Sequence, residues 1–343
     1  MIVLSRLRAP LVAAILGLTV LGLGLSALGY DAAAALAALG RGAFGSWYAF
    51  TSATLVRAVP LIVIGLGIAI SFRAGALNIG AEGQFSAGAM AATAVGLLVG
   101  RWSGLIAIPA VLLAGTIGGA AWVVVPVILR RRYRVQEVIS TLLLNFVADA
   151  LVSFMVQGPL QESKRIYPQS DPVAIAARLP LLPGTRLHLG FPLAVALAGL
   201  VAIVFSRTIW GFRLKAVGAA PRAAEVSGRV DVDRTTTLAL LWSGAFAGLA
   251  GALEVSGVTY ALFLNLSPGY GFTAIAVALI ARLDPIGILF AGLGFGALEA
   301  GAAGMQRDAG VPAVAVSVVQ ATIIVVALLT VARARRSRSE AAA

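Results

Sequence analysis

Long apolar runs recur along the chain, each closed by a break rich in glycine, proline or arginine. After a short basic start, Met1 to Arg8, the runs are Pro10 to Gly29, Ser52 to Phe72, Phe85 to Val99, Leu105 to Leu129 and Val138 to Val156. They continue as Leu189 to Phe205, Thr236 to Gly257, Ala261 to Ala281, Pro285 to Ala303 and Val311 to Val331. A run of about 20 apolar residues matches the hydrocarbon thickness of a bilayer when helical. The pattern therefore predicts an all-α, polytopic membrane bundle of about ten transmembrane helices. The third run is short and the eighth is interrupted. Ala27-Leu28-Gly29 is loosely cleavage-like, but the length of the first run and the apolar character of everything after it favour an uncleaved first span.

The same pattern divides the chain. Residues 1–51 form an N-terminal span with an outer segment, 52–157 a first helix set, 158–188 an external loop and 189–206 a sixth span. Residues 207–235 form an inner loop, 236–332 a second helix set and 333–343 a basic tail. Spans two to five begin outside and spans seven to ten begin inside, so an inverted repeat is expected. In the inner loop, proline at a first helical position and glycine past the last predict a short helix from Pro221 to about Gly228.

Charge sets the orientation. With the N-terminus inside, the inner loops hold Arg130, Arg131, Arg132, Arg134, Arg207, Arg213, Lys215, Arg222, Arg229 and Arg234, and the tail adds Arg333, Arg335, Arg336 and Arg338. The opposite side carries fewer cations, offset by Asp31, Glu162, Asp171 and Asp308. The positive-inside bias then places both termini in the cytoplasm. Arg57, near the outer end of its span, is expected to snorkel to the interface.

Composition agrees: 60% of residues are hydrophobic, 12% are charged and mean hydropathy is +0.97, an apolar excess too large for a soluble core. Only 7% are aromatic, so small residues supply the hydrophobicity, and small residues let helix backbones approach closely in lipid. The net charge of +12 is accounted for by arginines at the inner ends of spans, without a nucleic-acid partner. Without cysteine there is no disulfide framework or thiolate metal site. A single histidine, His188, excludes a His-rich metal site and is expected to be solvated in its Pro-rich loop. No cofactor or metal is implied, and no catalytic cluster stands out.

Two segments break the apolar pattern. Arg73 to Gln84 places three glycines, Asn78, Glu82 and Gln84 between apolar runs, and Ser267-Pro-Gly-Tyr-Gly-Phe272 interrupts the eighth run. Irregular backbone at membrane depth is tolerated where it lines a cavity or is buried in protein. Paired interruptions in the two halves of a transporter point to the substrate path. Asn145 and Asp149 lie four apart, on one helix face, while Glu254 and Glu299 lie toward the outer ends of their spans. Such groups either line a polar pathway or bind helices to one another.

Several of these stretches resemble permeases of nucleoside-type ABC importers: Gly75-Ala-Leu-Asn-Ile-Gly-Ala-Glu-Gly-Gln84, Glu137 to Asn145, Gly269 to Pro285, Ala216 to Gly228, and Ser243 to Glu254. Glu299, Gln306 and Gln320 sit in a similar C-terminal context, and the resemblance spans about Ser52 to Leu329. It implies a transport subunit of the bacterial inner membrane with no chemistry of its own. Its implied partners are a cytoplasmic ABC ATPase, a second related permease or a second copy, an extracytoplasmic substrate-binding lipoprotein and membrane lipid. The chain has no phosphate-binding Gly-x-x-x-x-Gly-Lys loop; its two lysines, Lys164 and Lys215, follow no such glycines.

The resemblance implies a substrate path at Asn78, Glu82, Gln84, Asn145, Tyr270 and Phe272, and ATPase coupling at Gly218, Ala223, Ala224, Glu225 and Gly228. In the coupling stretch the acidic Glu225 follows the alanines, whereas in the family pattern it precedes them. Amides can hydrogen-bond ribose hydroxyls or base edges, and aromatic rings can stack on a base. Three rival readings stay open: an ABC permease for simple sugars or branched-chain amino acids, a proton-coupled transporter using Asp149, Glu254 or Glu299, and a membrane enzyme.

Overall fold

A computed structural model describes residues 19–226, 228 and 230–312, with single positions 318, 321 and 325. The first part of the first span, most of the tenth span, Gln320, Arg229 and the basic tail lie outside the described residues. Among those described the chain is helical, with isolated bridges in place of strands.

The helices follow the apolar runs. In chain order they are α1 (19–27), α2 (Ala32–Phe44), α3 (Trp47–Ala49) and α4 (Val56–Arg73), with a π-helical segment, Phe50–Leu55, before α4. Then come α5 (Ala81–Leu98), α6 (Gly104–Tyr133), α7 (Glu137–Gln157) and α8 (Gly190–Arg207). The remainder are α9 (Ile209–Ala219), α10 (Pro221–Val226), α11 (Val232–Glu254), α12 (Tyr270–Ile280) and α13 (Pro285–Asp308). Six stretches are long and apolar enough to cross a membrane: Trp47–Arg73, Gly104–Tyr133, Glu137–Gln157, Gly190–Arg207, Val232–Thr259 and Pro285–Asp308.

Three features depart from the pattern read along the chain. The outer segment before residue 52 contains α2, whose N-cap Asp31 accepts a hydrogen bond from the Ala34 amide at 2.9 Å. The acidic cap before an alanine run was the signal for it. The inner loop holds α9 as well as the expected α10. The eighth run is helical only from Tyr270, because left-handed Gly269 (φ 95°) breaks the backbone before it.

Two compact units are present. In unit 1, residues 1–58 and 293–343, α2 packs on the last turns of α13 through glycines: a Cβ on Gly42 would lie 2.9 Å from the Ala300 carbonyl. The Thr54 hydroxyl donates to the Ala43 carbonyl at 2.8 Å. Arg57 is half-buried, donates to the Ala53 carbonyl at 3.4 Å and lies within electrostatic range of Glu299.

Unit 2, residues 59–292, is built around α5, α6 and α11. Their backbones touch. A Cβ added to Gly88 would sit 2.3 Å from Gly248, and one added to Gly119 would sit 2.2 Å from the Gly244 carbonyl. Helix association in lipid rests on van der Waals packing rather than expulsion of water, so this glycine seam is where the small-residue composition acts.

The loop 158–188 packs on the segment that follows α11. Its Ser170, Val173 and Leu179 amides donate to the carbonyls of Leu262, Tyr260 and Ser256. His188, expected to be solvated, is buried at 1% exposure. It fills a space left by two glycines: Cβ atoms on Gly190 and Gly257 would lie 2.5 and 2.6 Å from its ring. Its Nδ1 accepts from the Gly190 amide at 3.1 Å, and burial pushes its pKa down to about 4. In the same loop Glu162 and Asp171 are held below the usual carboxylate range by hydrogen bonds, Glu162 from Gln169 and Asp171 from Ser163.

Candidate functional site

The Gly-rich break after α4 is held by side chains from three helices. Left-handed Gly75 (φ 78°) turns the chain, and residues 76–80 run irregularly into α5. Asn78, fully buried, organises the break. Its Nδ2 donates to Gln84 Oε1 at 2.8 Å and to Ser243 Oγ at 2.9 Å, while its Oδ1 accepts from Gln84 Nε2 at 2.9 Å and from the Gly80 amide at 3.0 Å. Asn145 on α7 closes the other side: its Oδ1 accepts from the Gly83 amide at 2.8 Å and its Nδ2 donates to the Ile79 carbonyl at 3.1 Å. Thr141, one turn earlier, accepts from the Ile79 amide at 3.3 Å. A buried unpaired amide costs about 1–3 kcal/mol, so these pairings are what lets an irregular backbone exist there.

The start of α12 meets the start of α5. Glu82 Oε2 accepts from the Gly271 amide at 2.6 Å, and a Cβ on Gly271 would lie 2.4 Å from the Glu82 amide nitrogen. Ser267 Oγ accepts from the Gly269 and Tyr270 amides at 3.1 and 3.0 Å. Helix N-termini leave unpaired N–H groups and a partial positive charge. Here Asn145 caps α5, and Glu82 with Ser267 caps α12. The Phe85 and Tyr270 rings pack edge to face at 5.9 Å.

Of the six expected path residues, Asn78, Glu82, Gln84, Asn145 and Tyr270 therefore come together, all buried, with the amides of Asn78, Gln84 and Asn145 bonded within the protein. Phe272 lies at the same helix start but is 47% exposed. Asn145 and Asp149, expected on one face, differ in environment. Asn145 turns to the α5 backbone and is 3% exposed, whereas Asp149 is exposed. Ser243, Thr141 and Ser267 were not singled out from sequence. Ser243 opens one of the recognisable stretches, Thr141 lies within another, Glu137 to Asn145, and Ser267 opens one of the breaks.

The expected coupling residues lie on α9 and α10. Ala223, Ala224 and Glu225 belong to α10, and Gly228 follows it in the left-handed conformation (φ 65°), its amide donating to the Glu225 carbonyl at 3.0 Å. Gly218, near the end of α9, packs on the break itself: its Cβ would be 2.1 Å from the Arg73 carbonyl and 3.2 Å from the Gly75 amide nitrogen. Arg73 also lies over the Phe205 ring, 3.9 Å from its centroid, and donates to the Leu283 carbonyl at 3.3 Å. The loop and the break thus share one backbone contact.

A family model described as branched-chain amino acid transport system / permease component matches residues 50–328. The chain belongs to this permease family. The permease is accordingly a multi-pass membrane protein and a transport subunit rather than an enzyme. It is 35% identical over 326 residues to the guanosine ABC transporter permease protein NupP of Bacillus subtilis, covering 94% of this chain and 92% of that one. It is 38% identical over 283 residues to the glucose ABC transporter permease protein TsgB13 of Haloferax volcanii, covering 79% and 73%. Against the nucleoside ABC transporter permease protein NupB of Lactococcus lactis the identity is 34% over 281 residues, covering 79% and 77%. No solved structure matches the chain significantly.

Proposed function

We propose that this permease carries nucleosides across the bacterial inner membrane by alternating access, driven by a separate cytoplasmic ATPase. The observation that carries this reading is similarity to a guanosine permease over 94% of the chain, both breaks included. A second related permease or a second copy completes the path, and an extracytoplasmic lipoprotein delivers the cargo. About ten spans, with both termini in the cytoplasm, fit the charge distribution. The meeting of α5 and α12, each beginning at a break, supports an inverted repeat with the cargo path at its centre.

In this reading Asn78, Gln84 and Asn145 hold the breaks in shape, Glu82 joins them, and Tyr270 and Phe272 border the path. The helix α10, with Ala223, Ala224, Glu225 and Gly228, meets the ATPase. Gly218 passes its displacement to Arg73 and Gly75. ATP and the binding protein shift the equilibrium because each binds one state better than the other.

A simple-sugar cargo is the second reading, favoured by the 38% identity to a glucose permease. The test is ATP-driven uptake in proteoliposomes holding the permease with its ATPase, partner permease and binding protein. Saturable guanosine uptake that stops on ATP depletion and survives an uncoupler is expected. Glucose uptake without guanosine uptake selects the sugar reading. Uptake that survives ATP depletion and collapses with the uncoupler defeats both.

A further inference from the structure

Asp149 is out of keeping with its surroundings. It lies inside α7, about 18 Å from the first residue of the helix and about 12 Å from the last at 1.5 Å per residue. Its side chain is exposed at the margin of the buried face, beside buried Asn145 and Val152, and the exposed neighbours on its own side are Leu142 and Phe146. An aspartate at the centre of a span costs about 2.5–3.5 kcal/mol on insertion scales, so such residues face protein or a water-filled cavity rather than lipid. The ion pairs among the described residues, Arg130 and Arg131 with Asp233 and Arg307 with Asp308, do not include it.

What surrounds Asp149 narrows its role. Asn145, one helical turn earlier on α7, accepts from the Gly83 amide at 2.8 Å, next to Glu82 at the junction of the two helix starts. Asp149 therefore sits within about one turn of the residue that touches the junction at which both breaks end. Phe146, three residues earlier on the same face, is 66% exposed. An aromatic ring beside a carboxylate offers a flat apolar surface and two strong acceptors. Two acceptor oxygens match a pair of adjacent donors, and the ring covers the face of the cyclic group that bears them.

We propose that Asp149, with Phe146 beside it, is a cargo-binding residue that selects neutral solutes carrying two adjacent hydrogen-bond donors. Building on the transport reading above, the donor pair is either the vicinal hydroxyls of a ribose or hexose, or the adjacent N–H groups of a guanine edge. The negative charge also disfavours phosphorylated cargo, so nucleoside monophosphates are excluded.

The complete transporter in proteoliposomes tests this with Asp149→Asn, Asp149→Glu and Phe146→Ala, their assembly checked by co-purification with the ATPase. Wild type that moves none of guanosine, inosine, 2′-deoxyguanosine or glucose defeats the transport reading itself, before any variant is compared. With wild-type uptake in hand, Asp149→Asn is expected to lower guanosine kcat/KM at least tenfold and Asp149→Glu to recover part of it. If the hydroxyls are the donors, wild type already handles 2′-deoxyguanosine poorly, and Asp149→Asn costs it little more. If the guanine edge is the donor pair, inosine is the poor cargo that loses little. A variant that assembles and loses all cargoes by the same factor overturns the proposal in favour of a structural role. Wild-type uptake unchanged by Asp149→Asn overturns it outright.

Discussion

Gly218 is the narrowest contact between the inner loop and the break, so adding one methyl group there is a direct test of how the two are joined. In Gly218→Ala the new Cβ begins 2.1 Å from the Arg73 carbonyl oxygen. Ordinary non-bonded contacts settle near about 3.5 Å, so α9 and the Arg73–Gly75 backbone must part by roughly 1.4 Å. Neither side is a flexible side-chain end; both are backbone, and Arg73 is further held by Phe205 and the Leu283 carbonyl. Overpacking of this kind costs about 1–3 kcal/mol. The expected result is a melting temperature lower by a few degrees in detergent and a larger fall in ATP-driven uptake, because the displaced contact lies between the loop that we propose meets the ATPase and the break. Ala219→Ser, at an exposed neighbour on the same helix, should be silent in both measurements. A Gly218→Ala protein with unchanged melting temperature and unchanged uptake refutes the claim that this contact transmits motion.

Two further outcomes follow from the geometry. Asn145→Ala removes the acceptor for the Gly83 amide and the donor for the Ile79 carbonyl, and should cost about 1–3 kcal/mol of stability in thermal unfolding; Asn145→Asp keeps the acceptor but sets a buried acceptor-only carboxylate against the Ile79 carbonyl, and should cost at least as much. His188 has a folded-state pKa of about 4, below its usual value near 6.5, so the unfolded chain binds the proton more readily between those values. Stability from this residue is intact above about pH 6.5 and falls as pH drops toward 4, by up to roughly 3 kcal/mol. Glu162 and Asp171 are lowered carboxylates, so their contributions are lost at more acid pH. Unfolding measured from pH 7 to 4 should flatten in His188→Gln, and an unchanged slope would show that the buried imidazole is not what titrates.

Much of the site was written along the chain. The two breaks at Arg73–Gln84 and Ser267–Phe272 stood out because glycine and polar residues interrupt apolar runs, and they meet in the structure at Glu82 and Gly271. Pro221 and Gly228 announced α10 through their capping preferences, which act within one turn. Asp31 caps α2 by the same logic, but an alanine run shorter than a span gives no membrane signal. His188 departs from its solvated pattern for a definite reason. A proline-rich loop reads as solvated, but Gly190 and Gly257 leave a cavity of imidazole size, and Gly257 is far away in sequence.

By itself the sequence determined that the chain is a set of membrane-length helices with two interruptions, because span length, cap and break are local properties of a few neighbouring residues. Only the tertiary structure decided which polar groups are used up and which are left to act. Asn78 finds Ser243 165 positions along the chain, and the Gly271 amide finds Glu82 across 189. Asn145 and Asp149 look equivalent on a helical wheel, yet one is turned to the α5 backbone and the other is left exposed. Hydrogen-bond partners at that separation are chosen by how helices pack, and here packing is set by bare glycine backbones that carry no directional signal in the sequence.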